Sequence, residues 1–451
     1  FIGGSGTDYI SYYDSTGGVT VNLATNQMSG SWAVNDTISG FESISGSKTG
    51  ADTITGTSGA NTIKTYGGND KVYGGKGNDK IDLGSGNDYV RAGGGVESFI
   101  GGSGTDYISY YDSTWGVTVN LATNQMSGSW AGNDTISGFE SISGSKTGAD
   151  TITGTSGANT IKTYGGNDKV YGGKGNDKID LGSGNDYVRA GGGVESFIGG
   201  SGTDYISYYD STGGVTVNLA TNQMSGSWAV NDTISGFESI SGSKTGADTI
   251  TGTSGANTIK TYGGNDKVYG GKGNDKIDLG SGNDYVRAGG GVESFIGGSG
   301  TDYISYYDST WGVTVNLATN QMSGSWAGND TISGFESISG SKTGADTITG
   351  TSGANTIKTY GGNDKVYGGK GNDKIDLGSG NDYVRAGGGV ESFIGGSGTD
   401  YISYYDSTGG VTVNLATNKM SGSWAGNDTI SGFESISGSK TGTDTITGTS
   451  G

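Results

Sequence analysis

The chain contains no proline, no cysteine and no histidine. Those three absences exclude collagen-like helices, disulfide scaffolds and most zinc sites, and they remove the commonest acid–base and nucleophilic side chains of enzymes. Apolar residues are scarce as well. At 30% of the chain they cannot fill a thick two-layer core, although a thin, elongated one remains possible. Positive charge is the minority: Lys and Arg number 26 against 45 Asp and Glu, leaving −19 overall. Such a balance argues against nucleic acid or anionic lipid as a partner and for the binding of cations. No apolar run approaches membrane-spanning length, so no membrane insertion is expected. No signal segment is visible.

What is abundant is glycine, 96 of 451 residues, and it is distributed with strict periodicity. The string FIGGSGTDYISYYDST starts at Phe1, Phe99, Phe197, Phe295 and Phe393, a period of 98 residues. The repeats are therefore 1–98, 99–196, 197–294 and 295–392, with a partial fifth at 393–451. Phe1 and Gly451 both fall inside repeat units, and the chain reads as a window from a longer array whose ends stack on further repeats or copies.

A second period lies within each repeat. Residues 47–109 divide without gaps into seven nonapeptides: SKTGADTIT, GTSGANTIK, TYGGNDKVY, GGKGNDKID, LGSGNDYVR, AGGGVESFI and GGSGTDYIS. Position 4 is always Gly and position 6 is Asp, Asn or Glu. Position 8 is Ile54, Ile63, Val72, Ile81, Val90, Phe99 and Ile108, the inward residue of a very short strand, and its neighbours at 7 and 9 are mostly polar. Six glycine-rich residues make a tight turn and three make a strand, so two nonapeptides complete an 18-residue coil. Unbroken phase over all seven motifs excludes the flexible linker that composition alone would suggest. No helix follows these turns, which sets aside a phosphate-cradling loop.

Motifs i and i+2 then stack at the ~4.8 Å spacing of paired strands, bringing Asp52 to Asp70, Asn61 to Asp79, Asp70 to Asp88, Asp79 to Glu97, and Asp88 to Asp106. Stacked carboxylates repel unless neutralised. Two facing turns offer the carboxylate and carbonyl oxygens that Ca²⁺ takes, at about 2.3–2.6 Å. The candidate calcium ligands are accordingly Asp8, Asp52, Asp70, Asp79, Asp88 and Asp106, followed by Asp150, Asp168, Asp177, Asp186 and Asp204. In the later copies they are Asp248, Asp266, Asp275, Asp284, Asp302, Asp346, Asp364, Asp373, Asp382 and Asp400.

The motifs GGKGNDKID (74–82) and GGSGTDYIS (101–109) match G-G-x-G-x-D-x-U-x at every specified position. By these motifs the chain resembles the RTX (repeats-in-toxin) calcium-binding nonapeptide family. The segment from GVTVNLATNQMSGSW to GTSGANTI is similar to stretches that precede such runs in secreted RTX proteins. The resemblance implies an all-β, right-handed parallel β-roll or β-solenoid with Ca²⁺ in stacked Gly/Asp turns. Leu83 at position 1, Tyr66 and Gly84 beside incomplete Gly pairs, Asn61 and Glu97 depart from the pattern, and weaker metal sites are expected there.

Outward positions 7 and 9 should form ladders: Lys64 above Asp82, Tyr73 above Arg91, Tyr89 above Tyr107. The remaining 35 residues, 12–46 and copies, leave nonapeptide phase and carry VTVNL (19–23), Met28 and Trp32. Val19, Val21 and Leu23 alternate onto one strand face. The segment reads as a wider coil in one continuous solenoid of five coils per repeat, the alternative being a small separate β-domain. Copies differ in step: Gly17 goes with Val34, Trp115 with Gly132, Gly213 with Val230, Trp311 with Gly328. Reciprocal packing volume is one explanation and duplication of a 196-residue unit is another.

Taken together these features predict a calcium-stabilised structural region, not an enzyme: an adhesin stalk, surface-layer component or extracellular fibre, exported by a bacterial type I-like route. The competing reading is a ligand- or ice-binding β-solenoid module. It would need regular Thr/Asx ranks, yet position 7 reads Thr53, Lys71, Tyr89, Tyr107 down one side.

Overall fold

In a computed structural model the described residues are 1–30, 36–129, 132–226, 231–325 and 328–448. Among them there is no helix, and almost every strand is three or four residues long. The chain forms two compact units, one of Phe1–Asp210 with Asn222–Phe237 and the other of Ser211–Thr221 with Glu238–Gly451.

Within the first unit the strands form two parallel stacks. One runs Tyr9–Ser11, Ser43–Ser45, Thr62–Lys64, Lys80–Ser85 and Ser98–Ser103. The other runs Val19–Asn22, Thr53–Thr55, Lys71–Tyr73, Tyr89–Arg91 and Tyr107–Ser109. Successive nonapeptides alternate between stacks, and each strand pairs with the one 18 residues on, in the register Ile54↔Val72↔Val90↔Ile108. The second unit repeats the pattern, for instance Lys267–Tyr269 on Tyr285–Arg287 on Tyr303–Ser305.

Strand alternation sets the interior. Position 8 is buried in all seven motifs of 47–109, and positions 6 and 1 on either side of it also face inward. Position 1 supplies Ser47, Thr65, Leu83 and Ala92, all buried. Leu83 thus replaces glycine with a second aliphatic layer rather than disturbing the turn. Position 6 puts the acidic side chain inside. The glycines at positions 2 and 4 have a separate cause. Gly86 has φ +141°, and a Cβ there would lie 1.5 Å from the Gly68 carbonyl oxygen of the adjacent coil. Tyr66 occupies position 2 with φ 70°, where the corresponding Gly75 and Gly84 have φ 97° and 95°. An edge-on contact with Tyr13, ring centroids 4.7 Å apart, holds this left-handed tyrosine in place.

Outward ladders follow the expected stacking. Lys64 Nζ lies 3.1 Å from Asp82, Tyr73 pairs in register with Arg91, and the Tyr89 and Tyr107 rings stack at 5.7 Å. Arg91 also makes an ion pair with Asp112.

The 35-residue segment corrects one expectation. Val19, Val21 and Leu23 are buried on one face as their alternation requires, but Val19–Asn22 turns back on Gln27–Gly30 as an antiparallel hairpin. Its copy, Val117–Asn120 with Gln125–Gly128, sits between Thr135–Ser137 and Thr151–Thr153 of a single stack. From Tyr107–Ser109 the chain crosses between stacks nine times before reaching the equivalent Tyr205–Ser207. A repeat therefore makes four and a half coils, not five, because the hairpin adds strands to one stack without adding a coil. An odd number of crossings places Tyr107–Ser109 on the stack opposite Tyr9–Ser11, and 196 residues return Tyr205–Ser207 to the original one.

Reciprocal packing of Trp115 and Gly132 is not found. Trp115 is 65% exposed and fills no interior volume, while Gly132 takes φ 58° with the Gly95 carbonyl oxygen 2.5 Å from where its Cβ would be. Val34, Val230 and Trp32 lie outside the described residues.

Candidate metal centre

The inward position-6 side chains form two columns per repeat. In the first, the backbone N–H of Asp52 donates to Asp70 Oδ1 at 2.7 Å, that of Asp70 to Asp88 Oδ1 at 2.7 Å, and that of Asp88 to Asp106 Oδ1 at 2.9 Å. The second contains Asn61, Asp79 and Glu97, with the Asn61 N–H donating to Asp79 Oδ1 at 2.8 Å. All are at most 2% exposed. One carboxylate oxygen of each stacked aspartate is thereby satisfied by the coil next to it.

The other oxygen is not. Oδ2 of Asp70, Asp79, Asp88 and Asp106 is buried with no hydrogen-bond partner, and so is that of Asp168, Asp177, Asp186, Asp266, Asp275, Asp284, Asp302, Asp364, Asp373, Asp382 and Asp400. Those of Asp79 and Asp106 point back into their own turns: Cβ atoms added at Gly74 and Gly101 would lie 2.9 Å from Asp79 Oδ2 and Asp106 Oδ2. A buried carboxylate oxygen without a donor is costly, and its recurrence along both columns marks a design that some cation completes. Burial pushes Asp70 up to about 7, and Asp79 and Asp88 to about 6, opposed in part by the hydrogen bonds from the adjacent backbone.

The residues fit a hard divalent cation. Hard oxygen donors and glycine turns whose carbonyls stack along the column are the ligand chemistry of Ca²⁺. Among the described residues no group of three or more acidic side chains converges. A cation between two turns would then draw on two carboxylates and complete its shell from backbone carbonyls and water.

Not every candidate residue is alike. Asp52 is already satisfied, Oδ2 by the Ser47 N–H of its own turn at 2.9 Å and Oδ1 by the Ser47 hydroxyl at 2.9 Å and the Val19 N–H of the adjacent strand at 2.8 Å. Asp150, Asp248 and Asp346 repeat this arrangement. Asp8 is half-buried, with Oδ2 taking the Gly4 N–H at 2.7 Å. Asn61 uses its amide to reach the Glu42 carbonyl at 2.9 Å, so it needs no cation. Asp204 lies in the first column, where Oδ1 accepts from the Asp186 N–H at 2.9 Å.

Sequence periodicity missed the residues that continue the columns. Glu140 Oε2 accepts from the Asp106 N–H at 2.9 Å, and Asp134 Oδ1 accepts from the Glu97 N–H at 2.8 Å. Both lie in the irregular segment. Their signal was the second part of the motif out of nine-residue phase: Gly132-Asn133-Asp134-Thr135-Ile136-Ser137 and Gly138-Phe139-Glu140-Ser141-Ile142-Ser143 both read Gly-x-acid-x-aliphatic-x. The asparagines at position 5 were also overlooked. Asn69 Oδ1 takes the Asn87 N–H and Asn87 Oδ1 the Thr105 N–H, each at 2.9 Å, a polar ladder along the rim of the turns.

Inward-facing acids in stacked glycine turns define a parallel β-roll of the cation-binding class. The family model described as RTX calcium-binding nonapeptide repeat (4 copies) matches residues 48–81, 77–108, 146–179, 175–206, 244–277, 273–304, 342–375 and 371–402, more than half of the chain. The chain belongs to the RTX calcium-binding nonapeptide repeat family. No curated protein matches it.

Proposed function

We propose that this is a calcium-folded structural repeat region working outside the cell, as an adhesin stalk, surface-layer component or fibre. The observation that carries the reading is the recurring column of buried, donorless aspartate oxygens. Asp70, Asp88 and Asp106 serve as the strongest ligands of the first column and Asp79 of the second, with their copies. Asp8, Asp52, Asp150, Asp248 and Asp346 are peripheral, because protein donors already occupy their oxygens. Near-identical copies suit a spacer, and the repeats would join as one continuous solenoid that stacks end to end on further repeats or copies. Affinity in the range of extracellular modules, about 10⁻⁴–10⁻³ M, keeps the chain unfolded in a low-calcium cytoplasm and folds it after type I-like export.

Circular dichroism at buffered free calcium tests this. At pH 7.5 the β signal is expected to be weak at about 10⁻⁷ M calcium and complete above about 10⁻³ M, the two ends of the range between cytosolic sensors and extracellular modules. A full signal at the lower concentration would remove calcium-gated folding from the account.

A further inference from the structure

Where the second column leaves the nonapeptide run, two carboxylates meet. Glu97 is 2% exposed, and neither of its side-chain oxygens has a hydrogen-bond partner. Asp134, 4% exposed, comes from the strand that follows the hairpin and lies against it. The hydroxyl of Tyr110, a fully buried ring, donates to Asp134 Oδ2 at 3.2 Å. Glu195, Asp232 and Tyr208 repeat the arrangement with a 3.4 Å bond, and Glu293, Asp330 and Tyr306 with one of 3.1 Å. In the fourth copy, Glu391, Asp428 and Tyr404, the Glu391 N–H bond to Asp428 is kept at 2.9 Å, while the tyrosine hydroxyl and Asp428 Oδ2 each lack a partner.

Ionised carboxylates are acceptors only, so Glu97 and Asp134 can hydrogen-bond to each other only when one of them holds a proton. Among the described residues every ion pair lies on the outward face, Lys64–Asp82, Arg91–Asp112 and their copies, and none reaches these acids. A single shared proton would neutralise one charge and leave the other buried beside Asp79 of the same column. A divalent cation neutralises both.

We propose that Glu97 and Asp134, with the three corresponding pairs, each form a further calcium site where the second column leaves the nonapeptide run, in which the Tyr110 hydroxyl orients the Asp134 carboxylate. The site ties the hairpin-bearing segment to the nonapeptide stack. The inference rests on calcium being the ion of this chain.

Asp134→Asn, Asp232→Asn, Asp330→Asn and Asp428→Asn, combined in the full chain, test it. Asparagine keeps the shape and the Oδ1 acceptor for Glu97. Calcium bound at saturation, counted by equilibrium dialysis, is expected to fall by one ion per substituted copy, four per chain. Glu97→Gln with its three counterparts is the second variant and is expected to lose at least as many. An unchanged count in whichever variant folds, together with greater resistance to chelator, would show that the pair shares a proton and would overturn the proposal. Wild-type chain that binds no calcium would instead defeat the underlying calcium reading, a different outcome of the same experiment.

Discussion

Removing calcium at two pH values should expose the cost of the buried acids directly. Burial raises Asp70 from 3.8 to about 7, and Asp79 and Asp88 from 3.8 to about 6. A carboxyl whose folded-state pKa lies above its unfolded value contributes stability that is complete below about pH 4 and is lost as the pH climbs through 6 to 7. This is the reverse of a salt-bridged aspartate. At 1.36 kcal/mol per pH unit the Asp70 shift corresponds to about 4 kcal/mol, and water reaching the turn reduces that to roughly 2–4 kcal/mol. Calcium-depleted protein should therefore resist urea better at pH 4.5 than at pH 7.5, read by circular dichroism. Protons then stand in for calcium. With calcium at saturation the dependence inverts, because the ion needs ionised carboxylates and its affinity should weaken below about pH 6. Calcium-free stability that stays flat or rises between pH 4.5 and 7.5 would refute the reasoning, since it would mean that the aspartates fold in their charged form without a cation.

Three further outcomes follow from particular contacts. Gly86→Ala should cost more than about 3 kcal/mol in urea melts at fixed calcium, because its Cβ meets the Gly68 carbonyl oxygen at 1.5 Å. Gly59→Ala, where the nearest atom is a side-chain oxygen at 3.8 Å, should stay within about 1 kcal/mol. Asp88→Ala should raise the calcium midpoint of folding more than Asn61→Ala, since Asp88 stands between two aspartates and Asn61 already satisfies its own amide. Tyr66→Ala should destabilise by about 1–2 kcal/mol through loss of the Tyr13 ring, whereas Tyr66→Gly offsets part of that loss by relieving φ 70°, so the glycine variant should melt later.

Most of the site was legible because the nonapeptide couples three periodicities in nine residues. Alternation about Ile81 places Asp79 and Leu83 on its inward side, and 18-residue stacking sets Asp70 against Asp88. What failed was the demand for unbroken nine-residue phase. Gly132 and Gly138 stand two residues before Asp134 and Glu140, as position 4 stands before position 6, but these two acids lie out of phase with the nonapeptides, so a search for gap-free motifs passed over them. The hairpin was misread for a similar reason. Val19, Val21 and Leu23 show the strand and its buried face, but alternation carries no direction, and only the turn at Asn26, with φ 57°, reverses the chain. That reversal converts an expected coil into two added strands and leaves each repeat half a coil short. The Ser47 N–H and hydroxyl reach both oxygens of Asp52, local bonds that no long-range period reveals.

The most direct test is to locate the ions. In crystals grown with calcium, anomalous difference density collected at long wavelength should show peaks beside Oδ2 of Asp70, Asp79, Asp88 and Asp106, repeated at the corresponding positions of each copy and at Glu97–Asp134. Density confined to surface acids such as Asp82 and Asp112, with the buried columns empty, would contradict the account.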